Sequence, residues 1–167
     1  WEFGDGTGTG FVFDTHGGET AIHNYTDPGV YTVNLTVRDD YLNEGSDSAT
    51  VTVLDATPPD ADAGPDRSVD EDVPVGFDAT ATSDNVAVVS YAWDFGDGTT
   101  ATGPTPTHTY TDPGTYTVVI DATDGEGNVG TDSATVVVSD TTPPTADAGP
   151  DLTRAVGDPV TLDGSNS

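Results

Sequence analysis

Carboxylates are the one abundant chemistry-bearing group in this chain. Twenty-five aspartates and five glutamates face three arginines, with no lysine, cysteine or methionine. Calcium is the cofactor this inventory suits, since Ca²⁺ takes about six to eight oxygens from carboxylates, carbonyls and water. Asp121, Asp124, Glu126 and Asn128 place such oxygens in one short loop. Asp39 and Asp40, with Asn43 and Glu44, form its counterpart earlier in the chain. Asp55, Asp60, Asp62 and Asp140 flank two proline-rich linkers, where an ion would stiffen a junction. None of these groups has the spacing of an EF-hand loop. A solvated acidic surface is the more ordinary outcome where aspartate is this frequent.

Other chemistry is poorly supplied. Asp94 and Asp97 resemble a pair of catalytic carboxylates. Asp97, however, lies in a Gly-Asp-Gly hairpin turn that recurs elsewhere in the chain, so a turn role is the better reading. His23 and His108 occupy matching positions, one per repeat, and zinc would need partners the chain lacks. They read as packing or surface residues. There is no Gly-x-Ser-x-Gly elbow and no phosphate loop. Asn24-Tyr-Thr and Asn34-Leu-Thr are N-glycosylation sequons, absent from the second copy.

These residues are carried on a tandem repeat. Trp1-Glu-Phe-Gly-Asp-Gly-Thr returns at Trp93-Asp-Phe-Gly-Asp-Gly-Thr. Tyr25-Thr-Asp-Pro-Gly, Ser48-Ala-Thr-Val and Ala61-Asp-Ala-Gly-Pro-Asp each return 85 residues on, at Tyr110, Ser133 and Ala146. The first copy therefore holds extra residues within 8–24, among them Phe11, Val12, Phe13 and Ile22. They suit an extended hairpin or an exposed contact loop. A repeated, reaction-free motif points to an array of modules rather than an enzyme.

Period-two alternation runs throughout, and helical periodicity is missing. Residues 89, 91, 93 and 95 share one face, and Tyr116, Val118, Ile120 and Ala122 make a second inward row. Tyr31, Val33, Leu35 and Val37 repeat that row in the first copy. Strands are expected at roughly 66–70, 73–80, 87–95, 99–103, 106–110, 114–123 and 131–139. Seven short strands joined by Gly, Pro and Asp turns predict an all-β sandwich. The expected division is a partial module at 1–54, a linker at 55–60, a complete module at 61–140, a linker at 141–145, and the first strands of a further module at 146–167. Paired prolines make both linkers extended and stiff.

A net charge of −27 repels nucleic acid and anionic lipid. It also repels itself, until about 1 M salt shortens the Debye length to roughly 3 Å. That balance suits a protein of brine, of halophilic and archaeal source. An acidic secreted module partly neutralised by calcium is the other reading. No apolar run is long enough to span a membrane.

The Trp-x-Phe-Gly-Asp-Gly-Thr motif, the Tyr-Thr-Asp-Pro-Gly-Thr-Tyr-Thr-Val stretch at 110–118 and the closing Ser-Ala-Thr-Val strand resemble the PKD (polycystic kidney disease) domain. The resemblance implies an immunoglobulin-like β-sandwich. It also implies a setting in surface-layer and filament proteins, secreted proteases and chitinases, or animal receptors. Carried over, Trp1 and Trp93 are the core tryptophans of the central strand, and Tyr31 and Tyr116 the tyrosines packed near the turn. Gly96, Asp97 and Gly98 are the hairpin.

The expected function is a non-enzymatic extracellular structural module of a surface filament, surface-layer stalk or adhesin, assembling head to tail. Its partners would be copies of itself or neighbouring modules, and cell-surface glycans. Rival readings are a substrate-docking accessory domain of a secreted hydrolase, and a viral fibre or decoration module. Docking calls for exposed aromatic platforms. Only Tyr41, Phe11 and Phe13 fall off the inward rows. Three accounts of the chain's ends stay open. It is a slice of a longer array, a subunit whose last strands complete its neighbour's sandwich, or an arbitrary excerpt.

Overall fold

The computed structural model describes residues 1–6 and 21–165. Phe11, Val12, Phe13 and most of the expected insertion lie outside the described residues. Nine strands are present among the described ones. The first copy contributes β1 (Gly29–Arg38) and β2 (Glu44–Val53), an antiparallel pair. Glu2 adds an isolated bridge to Asn34 of β1.

The second copy supplies the other seven. These are β3 (Arg67–Asp70), β4 (Val75–Gly76), β5 (Val88–Asp94), β6 (Thr100–Thr102), β7 (Thr107–His108), β8 (Gly114–Asp124) and β9 (Val129–Ser139). One sheet runs β3-β9-β8-β5-β6, and β4-β7 forms a second. β3 lies parallel to β9, and the other pairs are antiparallel. The fold is an all-β sandwich, as the alternation requires.

Alternation decides the core, because successive side chains point to opposite faces. Val118, Ile120 and Ala122 of β8, Ala134, Val136 and Val138 of β9, and Trp93 of β5 are all buried. Val75 and Phe77 close the core from the other side, with Phe77 5.5 Å from Trp93 and 5.2 Å from Phe95 between ring centres. The Trp93 indole N–H donates to the Gly103 carbonyl at 3.0 Å, so burial leaves no orphan donor there.

Three sequence expectations need correction. Val89 does not share the face of Trp93. It is 62% exposed because β5 bulges between Val88 and Ser90, which resets the alternation. The strand expected at 73–80 is only two residues long. Beyond Gly76, the Phe77 and Ala79 N–H groups donate to Pro106 and Pro104 carbonyls, but prolines return no N–H, so no full ladder forms. Residues 146–165 form no strand and are exposed throughout. A strand needs a neighbour to satisfy its backbone, and this segment has none among the described residues.

Trp1 also departs from its expected core role. It is 37% exposed, whereas Trp93 is 1% exposed. Phe77 seals Trp93, with 5.5 Å between ring centres. Val33 is buried, but Val37 is 57% exposed where its match, Ala122, is sealed.

Candidate metal centre

The segment 55–60 is a docked element rather than a free spacer. Asp60 and Ser83 exchange two backbone hydrogen bonds, at 2.8 and 3.1 Å. Pro59 is buried, and its carbonyl oxygen lies 1.8 Å from where a Cβ on Gly130 would stand. Only glycine admits the linker there. Docking draws Asp55 under the loop between β8 and β9, leaving it 7% exposed.

That loop folds around Asp124, which is 2% exposed. Its Oδ1 accepts the N–H groups of Glu126 at 3.0 Å and Asn128 at 2.8 Å. The Asn128 amide donates to Asp124 Oδ2 at 2.7 Å and reaches across to the Asp55 carbonyl at 3.2 Å. One oxygen each from Asp55, Asp124 and Glu126 then lie within 4.8 Å of one another. Asp55 Oδ1 accepts from Thr57 N–H and from the Asn85 amide. Asp55 Oδ2 is buried with no hydrogen-bond partner.

The electrostatics are one-sided. No ion pair with arginine or histidine among the described residues reaches the three carboxylates. Burial pushes the Asp124 carboxyl up. The hydrogen bonds from Asn128 and from the Glu126 and Gly127 N–H groups outweigh this and hold it below the usual range. Two buried carboxylates and an exposed one, with an orphan oxygen on Asp55, are the donor set of a hard divalent cation held by oxygen. It does not fit zinc, which prefers nitrogen and sulfur ligands.

The sequence candidates divide accordingly. Asp124, Glu126 and Asn128 come together. Asp121 does not join them: it is exposed and accepts the Thr131 hydroxyl at 2.7 Å. Asp39 repeats the Asp124 turn, accepting Tyr41 N–H, Asn43 N–H and the Asn43 amide, but among the described residues it joins no carboxylate cluster. Asp40 is exposed. The pairing of Asp55 with Asp124 was missed, because 69 residues separate them and no local spacing signals it. Glu71 was also missed. Buried at 7% exposure, it accepts Thr141 N–H at 3.0 Å, Thr142 N–H at 2.8 Å and the Thr142 hydroxyl, fastening the outgoing linker.

Asp94 and Asp97 serve separate turns. Asp94 accepts Gly96 N–H, and Asp97 accepts Thr99 N–H and hydroxyl. Asp97 Oδ2 also lies 2.6 Å from His108 Nε2. His108 stacks on Phe95 at 4.2 Å, edge-on to Tyr110, which stacks on Tyr116. Phe3, His23, Tyr25 and Tyr31 repeat this ladder, with Asp5 on His23. The Tyr116 and Tyr31 hydroxyls donate to the carbonyls of Asp112 and Asp27. Of the sequon residues, Asn24 is exposed and Asn34 half-buried within β1. Tyr41 is 88% exposed.

The chain matches a family model described as PKD domain over residues 1–53 and 56–138. Its relatives include Collagenase ColA of Bacillus cereus, 43% identical over 70 residues, covering 42% of this chain and 7% of that protein. The Dyslexia-associated protein KIAA0319-like protein of Mus musculus is 34% identical over 155 residues, covering 84% of this chain and 15% of that protein. Among solved structures, the PKD1 domain of Vibrio anguillarum Epp is 31% identical, covers 49% of this chain and 94% of its own, and gives a TM-score of 0.43. The chain thus spans a small part of the curated relatives. PKD domains are non-catalytic accessory modules. With its Trp-x-Phe-Gly-Asp-Gly hairpins, its sandwich and its two matched segments, the chain belongs to the PKD domain family, as modules in tandem.

Proposed function

We propose that this chain is part of a non-enzymatic, extracellular spacer: a run of PKD modules in a surface filament, surface-layer stalk or adhesin of a salt-loving microbe. Adjacent modules join head to tail, and calcium fastens the junction. The observation that supports this most is the docked linker, which buries Asp55 beside Asp124 and Glu126 with an oxygen left unpartnered. Asp55, Asp124 and Glu126 would hold the ion, with carbonyls and water completing its shell. When bound, the ion neutralises repulsion within the cluster. The residues themselves tie the linker to the β8–β9 loop.

The test is calcium titration by calorimetry, paired with melting curves in calcium and in chelator. A ligand that binds only the folded state stabilises by about 2.7 kcal/mol at a hundred times its Kd. Asp55→Asn should lose the binding heat and the calcium-dependent rise in Tm. Unchanged binding in Asp55→Asn would sink the assignment. Glycans at Asn24 and Asn34 belong to the same reading, and intact mass of the protein from its source would reveal them.

A second reading is an accessory domain of a secreted hydrolase that contacts polysaccharide or protein. The similarity to a collagenase supports it. The tandem reading is favoured because the similarity to the mouse protein runs through both copies. The parent gene separates the two readings: a long run of repeats, or a protease domain beside a few.

A further inference from the structure

Three Asp–Pro bonds occur in the chain, at 27–28, 112–113 and 158–159. Proline makes such a bond a tertiary amide, whose nitrogen leaves as a secondary amine. Two of the three stand in a setting that the fold repeats. The Tyr116 hydroxyl donates to the Asp112 carbonyl at 2.9 Å, and the Tyr31 hydroxyl to the Asp27 carbonyl at 2.7 Å. Each phenol O–H thus sits on the oxygen of an Asp–Pro amide. The rings are held in place. Tyr116 stacks on Tyr110 at 4.4 Å and Tyr31 on Tyr25 at 4.3 Å. These tyrosines are the titratable groups packed at the two turns. Gly114 and Gly29 pass beside the rings, where a Cβ would stand 3.5 and 3.4 Å away.

The carboxylates of these two aspartates are also loosely held. Those of Asp94, Asp97 and Asp124 are tied to N–H groups two residues ahead. The Asp112 carboxylate instead meets the Thr111 hydroxyl at 3.4 Å, and the Asp27 carboxylate the Thr26 hydroxyl at 3.1 Å. Both aspartates are exposed, so water reaches the turn. Asp158 differs on both counts. Its carboxylate accepts the Ala155 N–H at 3.3 Å, and among the described residues no hydroxyl reaches its carbonyl.

We propose that acid severs this chain at Asp27–Pro28 and Asp112–Pro113, each cut made by the aspartate's own carboxyl while the tyrosine hydroxyl steadies the oxyanion. A side-chain oxygen of Asp112 attacks its backbone carbonyl carbon and closes a five-membered ring. The negative charge falls on the oxygen that the Tyr116 hydroxyl faces. The bond from that carbon to the Pro113 nitrogen breaks, and the nitrogen takes the carboxyl proton. The cyclic anhydride left on Asp112 adds one water and opens to two carboxyl groups. Nothing is oxidised or reduced. Each turn reacts once, so the module has no catalytic turnover. The cuts fall just ahead of β1 and β8, and each breaks the covalent path through its copy.

The experiment is mass spectrometry of the full chain during incubation in molar NaCl at about pH 4, where carboxyl groups are partly protonated. Native tryptophan fluorescence confirms that the chain stays folded. A parallel incubation in guanidinium chloride at the same pH gives the unfolded reference. The folded chain should yield fragments 1–27, 28–112 and 113–167, with Asp158–Pro159 cut at least tenfold more slowly. In guanidinium chloride the three bonds should be cut at similar rates. Tyr116→Phe keeps the ring stack and removes only the donor. It should slow the cut at Asp112–Pro113 about tenfold and leave Asp27–Pro28 unchanged, at the low end for losing an oxyanion donor because the turn is wet. Tyr31→Phe should do the reverse. Three bonds cut equally in the folded chain, or a Tyr116→Phe variant cut as fast as the wild type, overturns the proposal. So does a folded chain that stays whole while the unfolded one is cut.

Discussion

Leu42 has φ 65°, and its match in the second copy, Gly127, has φ 89°. Both close the same turn, around Asp39 and Asp124 respectively. A left-handed backbone costs a residue with a side chain about 1–2 kcal/mol, which glycine avoids. Leu42 is 72% exposed, so little packing is lost by removing it. Leu42→Gly should therefore raise stability by up to about 1 kcal/mol, read as a higher denaturation midpoint for the first copy. At Trp93 the sign is reversed. Trp93→Ala should cost about 3–5 kcal/mol, the usual range for a buried large aromatic. Trp1→Ala should cost clearly less, and equal midpoints for the two variants would contradict their burial. The two motifs by themselves do not tell these tryptophans apart. The difference lies in Phe77, which is distant from Trp93 in the chain and has no match over Trp1 among the described residues. Tyr110 shows a similar limit. Its place in the repeated motif was legible, but its sealing and its bond to the Phe95 carbonyl were not. Burial, then the charge of Asp97 and Tyr116, push its hydroxyl up to about 12.

Linkers behave as elements here, and glycines show it. Gly130 and Gly45 are matched positions, yet a Cβ on Gly130 meets the Pro59 carbonyl while one on Gly45 meets only Val37 Cγ2 at 3.6 Å. Gly130→Ala should expel the 55–60 segment and release Asp55, lowering the Tm. Gly45→Ala should be tolerated. Equal effects of the two changes, measured side by side, would mean the linker does not dock. The outgoing side depends on Glu71, whose carboxyl is held below the usual range by the Thr142 hydroxyl and the Thr141 N–H, against burial. Asp124 is lowered as well. A lowered folded value means the unfolded chain binds more protons, so this stability is present above about pH 4 and is lost as pH falls through the folded values. Denaturation midpoints should drop between about pH 5 and 3, and Glu71→Gln and Asp124→Asn should each flatten that drop. Strand positions and turns were legible from alternation and from Asp-Gly and Asp-Pro-Gly spacing. The Val88–Ser90 bulge was not, because nothing in Val-Val-Ser announces an extra residue. The one-way ladder opposite Pro104 and Pro106 was legible in principle, once those prolines are paired with Phe77 and Ala79.

For the whole molecule, charge dominates. A net −27 spread over a small chain repels itself, and salt screens it. The Tm, measured in chelator, should rise from low to molar NaCl, and a flat profile would remove the case for a brine-adapted surface. Net charge and repeat organisation could be read directly from composition and spacing. The carboxylate cluster could not, since folding alone brings Asp55 to Asp124. The parallel pairing of β3 with β9 carries a further consequence. The chain enters the complete module through one strand and leaves through the other, and the two point the same way. Tension applied to the ends would draw them past each other lengthwise, so every hydrogen bond between them resists together rather than tearing in turn. A tether built of such units would hold its length under drag until the two strands slip as one.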